Sequence, residues 1–78
     1  MKTIKCKDLG GACDQEFTAE TFDEIAEMSK QHGMEMFQKQ DIAHLKAMSA
    51  MQELMKNPEE MQKWFESKQR MFENLPEN

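Results

Sequence analysis

The stretch TIKCKDLGGACDQEFT, residues 3–18, decides the fold. Its first residues alternate polar with apolar side chains of β-favouring type, residues 8–11 have the composition of a turn, and residues 16–18 form a short second β-favouring run. The pattern predicts a β-hairpin. If the turn is centred between Leu9 and Gly10, then Cys6 and Cys13 lie directly opposite each other on the two strands, with Cβ atoms about 4.5–5.5 Å apart.

A first helix follows the hairpin. Thr21 and Glu24 form the capping-box pattern, so the helix begins immediately after Thr21. Gly33 is a poor residue for a helix interior and a good one just past a helix end. The helix is therefore predicted to end at His32, although continuation as far as Phe37 is compatible with the apolar pattern.

Two further amphipathic helices are expected downstream. Asp41 is the predicted N-cap of the second helix, and Asn57 followed by Pro58 starts the third. The apolar stripe of the third helix consists of Met61, Trp64, Phe65, Met71 and Phe72.

The predicted fold class is α+β, with an N-terminal β-hairpin packed on a helix in the manner of a ββα zinc finger and two more helices after it. One domain spans residues 1–78. Residues 1–37 form the hairpin and first helix, and residues 38–78 form a two-helix C-terminal extension.

Composition excludes several classes of function. The 78 residues include 10 Lys and Arg and 15 Asp and Glu, for a net charge of −5, and no basic face that would serve nucleic-acid binding. No run approaches the about 20 apolar residues of a membrane span, and the N-terminus lacks the apolar segment of a signal peptide. We therefore expect a cytoplasmic protein whose cysteines stay reduced.

The two cysteines and a histidine form the constellation that could carry chemistry. The second strand leads away from the turn and the first helix returns, which brings His32 back near Cys6 and Cys13. Two Cys on a hairpin followed by a His near a helix end is an arrangement that binds structural zinc. The fourth ligand stays open among Glu27, Met28, His44 and water.

Simpler interpretations stand beside a metal site. Paired cysteines in a hairpin are often small buried hydrophobes, and a histidine at a helix end often only complements the helix dipole. The many methionines would suit copper(I) as thioether ligands, but at helical spacing they are more often adaptable core or interface residues.

A resemblance to a known family adds to this. Residues 6–10, the pair Cys13-Asp14, Phe17, the helix start at residues 19–21 and the pair His32-Gly33 resemble domain of unknown function family 1059, over residues 4–33. The resemblance implies a site of two Cys and two His on a hairpin and helix, with Cys6, Cys13 and His32 at matching positions. Where the family usually has its other His, five residues before His-Gly, this chain has Glu27. The third helix extends beyond the usual family length, and the resemblance supplies no activity.

The sequence thus predicts zinc bound by Cys6, Cys13, His32 and Glu27. No phosphate-binding loop, activated serine or Cys-x-x-Cys motif indicates an enzyme. We expect a small non-enzymatic interaction or regulatory module, with a protein partner or a second copy bound through the helix carrying Trp64 and Phe65. The alternatives are a metal-free structural or oligomerisation protein held by its Met-rich helices, and a small thiol-redox protein.

Overall fold

The computed structural model describes all 78 residues and has the α+β architecture that the sequence predicts. The elements in chain order are β1 (Lys2–Lys5), a 3₁₀ turn (Cys6–Leu9), β2 (Glu16–Ala19), α1 (Phe22–Gln38), α2 (Ile42–Met55) and α3 (Pro58–Glu73). The two strands form one antiparallel hairpin.

The register of the hairpin differs from the prediction. Lys5 pairs with Glu16, so the centre of pairing lies one residue later than expected, and Cys6 and Cys13 are not partners on the two strands. The reason is the 3₁₀ turn, which begins at Cys6 and takes the chain out of the extended conformation before the loop. Since each residue's partner moves by two positions, the same side chains still face the core.

Helix α1 begins as predicted and ends later. The capping box of Thr21 and Glu24 is present in full. The helix passes through Gly33 and continues to Gln38, and the chain reverses at Gln40, a non-glycine residue with φ of 57°. Packing against α2 therefore outweighs the weak helix preference of Gly33.

The caps of the next two helices are also those that the sequence predicts. The Asp41 carboxylate accepts a hydrogen bond from the His44 amide at 3.0 Å. Asn57 Oδ1 accepts from the amides of Glu59 and Glu60, with Pro58 at the first helical turn. Both helix starts are thus fixed by local side chains.

The hydrophobic core lies between the hairpin, α1 and the end of α3. Its buried members are Ile4, Cys6, Leu9, Phe17, Ala19, Phe22, Ile25 and Phe72. Phe72 comes from α3, and its ring lies 5.9 Å from that of Phe22 and 5.7 Å from the Lys2 ammonium. Helix α3 therefore packs on β1 and α1 as well as on α2. None of the helices combines the length and apolar character needed to cross a membrane.

Candidate metal centre

Four side chains from four parts of the chain converge beside the core. Cys6 opens the 3₁₀ turn, Cys13 lies in the following loop, His32 comes from α1, and His44 comes from the first turn of α2. One candidate ligand atom from each residue lies within 4.8 Å of all the others. A metal ion at their centre would join the hairpin loop to two helices.

Two of the separations between these atoms are close to those of a tetrahedral site. Cys13 Sγ lies 3.2 Å from His32 Nε2, and Cys6 Sγ lies 3.7 Å from His44 Nε2. Zinc binds sulfur at about 2.3 Å and imidazole nitrogen at about 2.0–2.1 Å, so a tetrahedral S–Zn–N unit places S and N about 3.6 Å apart. The two observed distances fall on either side of that value.

Asp41 orients one of the two imidazoles. Its Oδ2 atom lies 2.6 Å from His44 Nδ1 and also accepts the His44 amide. The hydrogen bond from the His44 side chain holds the pKa of Asp41 below its usual range, so the carboxylate is ionised and accepts. Nδ1 therefore carries the proton, and Nε2 presents its lone pair to the cluster. A carboxylate behind a histidine is a common outer partner of metal ligands.

The two histidine rings pack against each other, and one of them packs against Phe17. The ring of His32 meets that of His44 edge-on, with centroids 5.3 Å apart, and meets Phe17 in the same way at 5.6 Å. His44 is 4% exposed and is the one buried polar residue of the chain. This burial leaves neither ring nitrogen without a partner, because Nδ1 contacts Asp41 and Nε2 contacts Cys6 Sγ.

Two adjacent glycines allow the loop to reach this position. Gly10 has φ of 87°, in the left-handed region that glycine adopts without strain, and it ends the 3₁₀ turn. A Cβ atom on Gly11 would lie 2.1 Å from Cys6 Sγ, which leaves no space for any other residue there. A Cβ on Gly10 would lie 3.1 Å from Met51 and 3.2 Å from Trp64, so α2 and α3 pack closely against the loop.

Both cysteines are free thiols. Burial raises the pKa of the Cys6 thiol above its usual range, and the neighbouring Cys13 adds to that effect. Hydrogen bonds from the backbone amides of Ala12 and Cys13 partly offset it by favouring the thiolate. The loop thus already supplies donors to the sulfur, while the neutral form prevails until a cation is present.

Three of the four side chains predicted from the sequence meet in this cluster: Cys6, Cys13 and His32. Glu27 does not join them and is exposed on α1. Five residues before His32 is a rotation of about 140° around a helix, so the two side chains leave from different faces. Met28, the other residue of this helix considered as a ligand, is 37% exposed.

His44 takes the fourth position that the sequence left open. Reaching it required α2 to fold back onto α1, and the reversal at Gln40 carries no Gly or Pro that would mark it. The one sequence signal for His44 is its position three residues after Asp41, which places the histidine beside the carboxylate of the predicted N-cap. That the four residues bind metal stays a prediction.

Comparison with known proteins gives one match. The family model described as "Protein of unknown function (DUF1059)" matches residues 1–47, a span that contains all four side chains of the cluster and Asp41. No curated protein and no solved structure matches the chain.

Proposed function

The chain belongs to the DUF1059 family of proteins of unknown function, and we propose that it is a small non-enzymatic module that binds one zinc ion. The ligands are Cys6 Sγ, Cys13 Sγ, His32 Nε2 and His44 Nε2. The observation that carries the proposal is the convergence of these four atoms within 4.8 Å, with S–N separations of 3.2 and 3.7 Å.

The donor set favours zinc over other metals. Two thiolates and two imidazoles in a tetrahedron are typical of structural zinc sites, whereas calcium and magnesium take oxygen ligands. Copper(I) would draw on thioethers, whereas the four converging donors are two cysteine sulfurs and two imidazole nitrogens. Four protein ligands leave no open coordination position, which supports a structural rather than a catalytic ion.

The ion would contribute much of the stability of the fold. Only eight hydrophobic residues are buried, and a core of this size supplies at most about 3–5 kcal/mol. Structural zinc in small domains contributes on the order of 10 kcal/mol. The metal would therefore strengthen the association of the loop with α1 and α2, which the small core holds only weakly by itself. We place such a module in the cytoplasm, in an interaction or regulatory role.

The experiment is a metal analysis of untagged protein, followed by a matched pair of variants. We expect one equivalent of zinc, and tetrahedral thiolate spectra when cobalt(II) replaces it. His44→Ala should weaken binding by more than the about 10–100-fold that loss of an outer-shell partner costs. Glu27→Ala should leave binding unchanged because that side chain is outside the cluster.

Each other outcome supports a named alternative. Equal losses for Glu27→Ala and His44→Ala would restore Glu27 as a ligand. Absence of metal, with thermal melting unchanged by a chelator and by Cys13→Ser, would support the metal-free structural protein. A Cys6–Cys13 disulfide in protein purified under reducing conditions would support the thiol-redox protein.

A further inference from the structure

A second feature of the molecule is an apolar cleft between the three helices and the Cys6–Gly10 end of the loop. Its volume is about 610 Å³, within the range of about 300–1,000 Å³ that is typical of small-molecule sites. Of its 22 lining residues 13 are hydrophobic, and the walls include Phe37, Met48, Met51, Met55, Met61 and Trp64. We refer to this space as the apolar cleft.

Charge in the apolar cleft is opposite to that of the chain as a whole. The protein has 15 acidic residues and a net charge of −5, yet no Asp or Glu lines the cleft. The one Lys or Arg among its lining residues is Lys30, which is exposed in the middle of α1 and forms no salt bridge. Lys30 shares its helix face with Gly33 and Phe37. The cleft therefore offers one cation beside an extended apolar surface.

The walls suit a flexible chain rather than a rigid polar ligand. Methionine side chains are unbranched and polarisable, and they adapt to irregular apolar shapes. Apart from Lys30 and the two histidines of the metal centre, the lining side chains with N or O atoms are Ser29, Ser49, Gln52 and the indole of Trp64. A ligand with many hydrogen-bonding groups would lose water without finding partners, which costs binding energy.

Trp64 lies on the wall of the cleft and is half-buried within the chain itself, against the Gly10 backbone. Sequence considerations indicated this residue as the anchor of a protein interface. A tryptophan recessed into a cavity is less suited to insertion into a partner than one that projects from the surface.

We propose that the apolar cleft binds a free fatty acid, whose hydrocarbon chain lies between the methionines and whose carboxylate meets Lys30. The proposal goes beyond the zinc site and does not require it, because the walls come mainly from side chains that are not metal ligands. A negative metal analysis would therefore contradict the zinc site alone, and absence of fatty-acid binding would contradict the proposal for the cleft alone.

The first test uses two substitutions of one glycine in the full-length protein as purified. Gly33 lines the cleft, and a Cβ there would meet only Met48 Cε at 3.7 Å, an ordinary contact. Gly33→Ala should therefore bind dodecanoic acid like the wild type, whereas the larger, branched side chain of Gly33→Leu should occupy part of the cleft and weaken binding at least tenfold. Both replacements favour helix, so both should fold. The affinity is measured by Trp64 fluorescence and by calorimetry, at concentrations of dodecanoic acid below those at which it forms micelles.

The second test concerns the carboxylate. Lys30→Gln should weaken dodecanoic acid binding about two- to fivefold, the range expected for an exposed ion pair, and should leave dodecanol binding unchanged. Lys39→Gln, at the end of α1 and outside the cleft, is the matched control.

Three results would overturn the proposal. The first is the absence of saturable binding of dodecanoic acid, and the second is full binding by Gly33→Leu. The third is an affinity for dodecanoic acid that is indifferent to Lys30→Gln. A dimer that buries Trp64 and is not displaced by dodecanoic acid would replace the fatty acid with a second copy of the chain.

Discussion

Replacing Gly11 with alanine tests the geometry of the metal centre with a single methyl group. The new Cβ would lie 2.1 Å from Cys6 Sγ, and ordinary contact begins at 3.4 Å, so the sulfur has to move by about 1.3 Å. Ligand distances in metal sites tolerate about ±0.2 Å. Cys6 would therefore cease to be a ligand. Gly11 is not among the residues with positive φ, so alanine adds no strain of its own backbone.

The expected loss has two parts. In metal-free protein the overpacked methyl group should cost about 1–3 kcal/mol of unfolding free energy. In zinc-loaded protein the loss of a ligand should lower the affinity at least about 100-fold, which at saturating zinc removes a further ~2.8 kcal/mol of stabilisation. Thermal melts with and without zinc, together with competition against a chelating indicator, separate the two parts.

Two controls show whether the sulfur is the cause. Gly33→Ala has room for its methyl group and should be neutral or stabilising in the same assays. In a Cys6→Ala background the Gly11→Ala change should cost less, because the remaining close atom is the Cys6 carbonyl oxygen at 2.9 Å. Wild-type zinc affinity and stability in the Gly11→Ala single variant would refute the placement of Cys6 described above.

Four other predictions rest on contacts described above. Asp41→Asn keeps an N-cap but removes the carboxylate from His44 Nδ1, so zinc affinity measured by competition should fall about 10–100-fold while helicity is retained. The raised pKa of Cys6 means that zinc binding at pH 7 displaces its proton, and calorimetry in buffers of different ionisation enthalpy should detect that release. For the same reason, the stability of metal-free protein should fall as pH rises through the usual thiol range towards the raised pKa, and zinc-loaded protein should lack that fall. Phe72→Ala should cost about 3–5 kcal/mol in denaturant melts, since the ring is buried on β1 and α1.

The parts of the fold that the sequence predicts correctly rest on local interactions. The capping box at Thr21 and the caps at Asp41 and Asn57 each involve residues within three positions of one another. The resemblance to family 1059 is likewise confirmed by the match over residues 1–47. Helix caps can be predicted from sequence because the side chain and its backbone partner are close in sequence.

The parts that sequence reasoning missed or left open depend on distant contacts. The hairpin register changed because Cys6 enters a 3₁₀ turn, and a Cβ at Gly11 would collide with its sulfur. Helix α1 runs on through Gly33, which lies against Met48 of α2. His44 reaches the cluster through a reversal at Gln40, a residue type with no preference for positive φ. None of these causes is visible in the neighbouring sequence.

The position of α3 relative to the metal centre has a consequence for how the molecule opens. An ion bound by residues 6 to 44 would cross-link the chain over that span, but α3 lies outside the closed loop and is held by packing of Phe72 and Trp64. The protein would then consist of two cooperative units that differ in their free energy of unfolding. Amide hydrogen exchange should slow on addition of zinc in the hairpin, α1 and the start of α2. In α3, exchange should proceed through a separate opening of lower free energy. That opening would uncover the Phe22 side of the core while the cross-linked part stays folded.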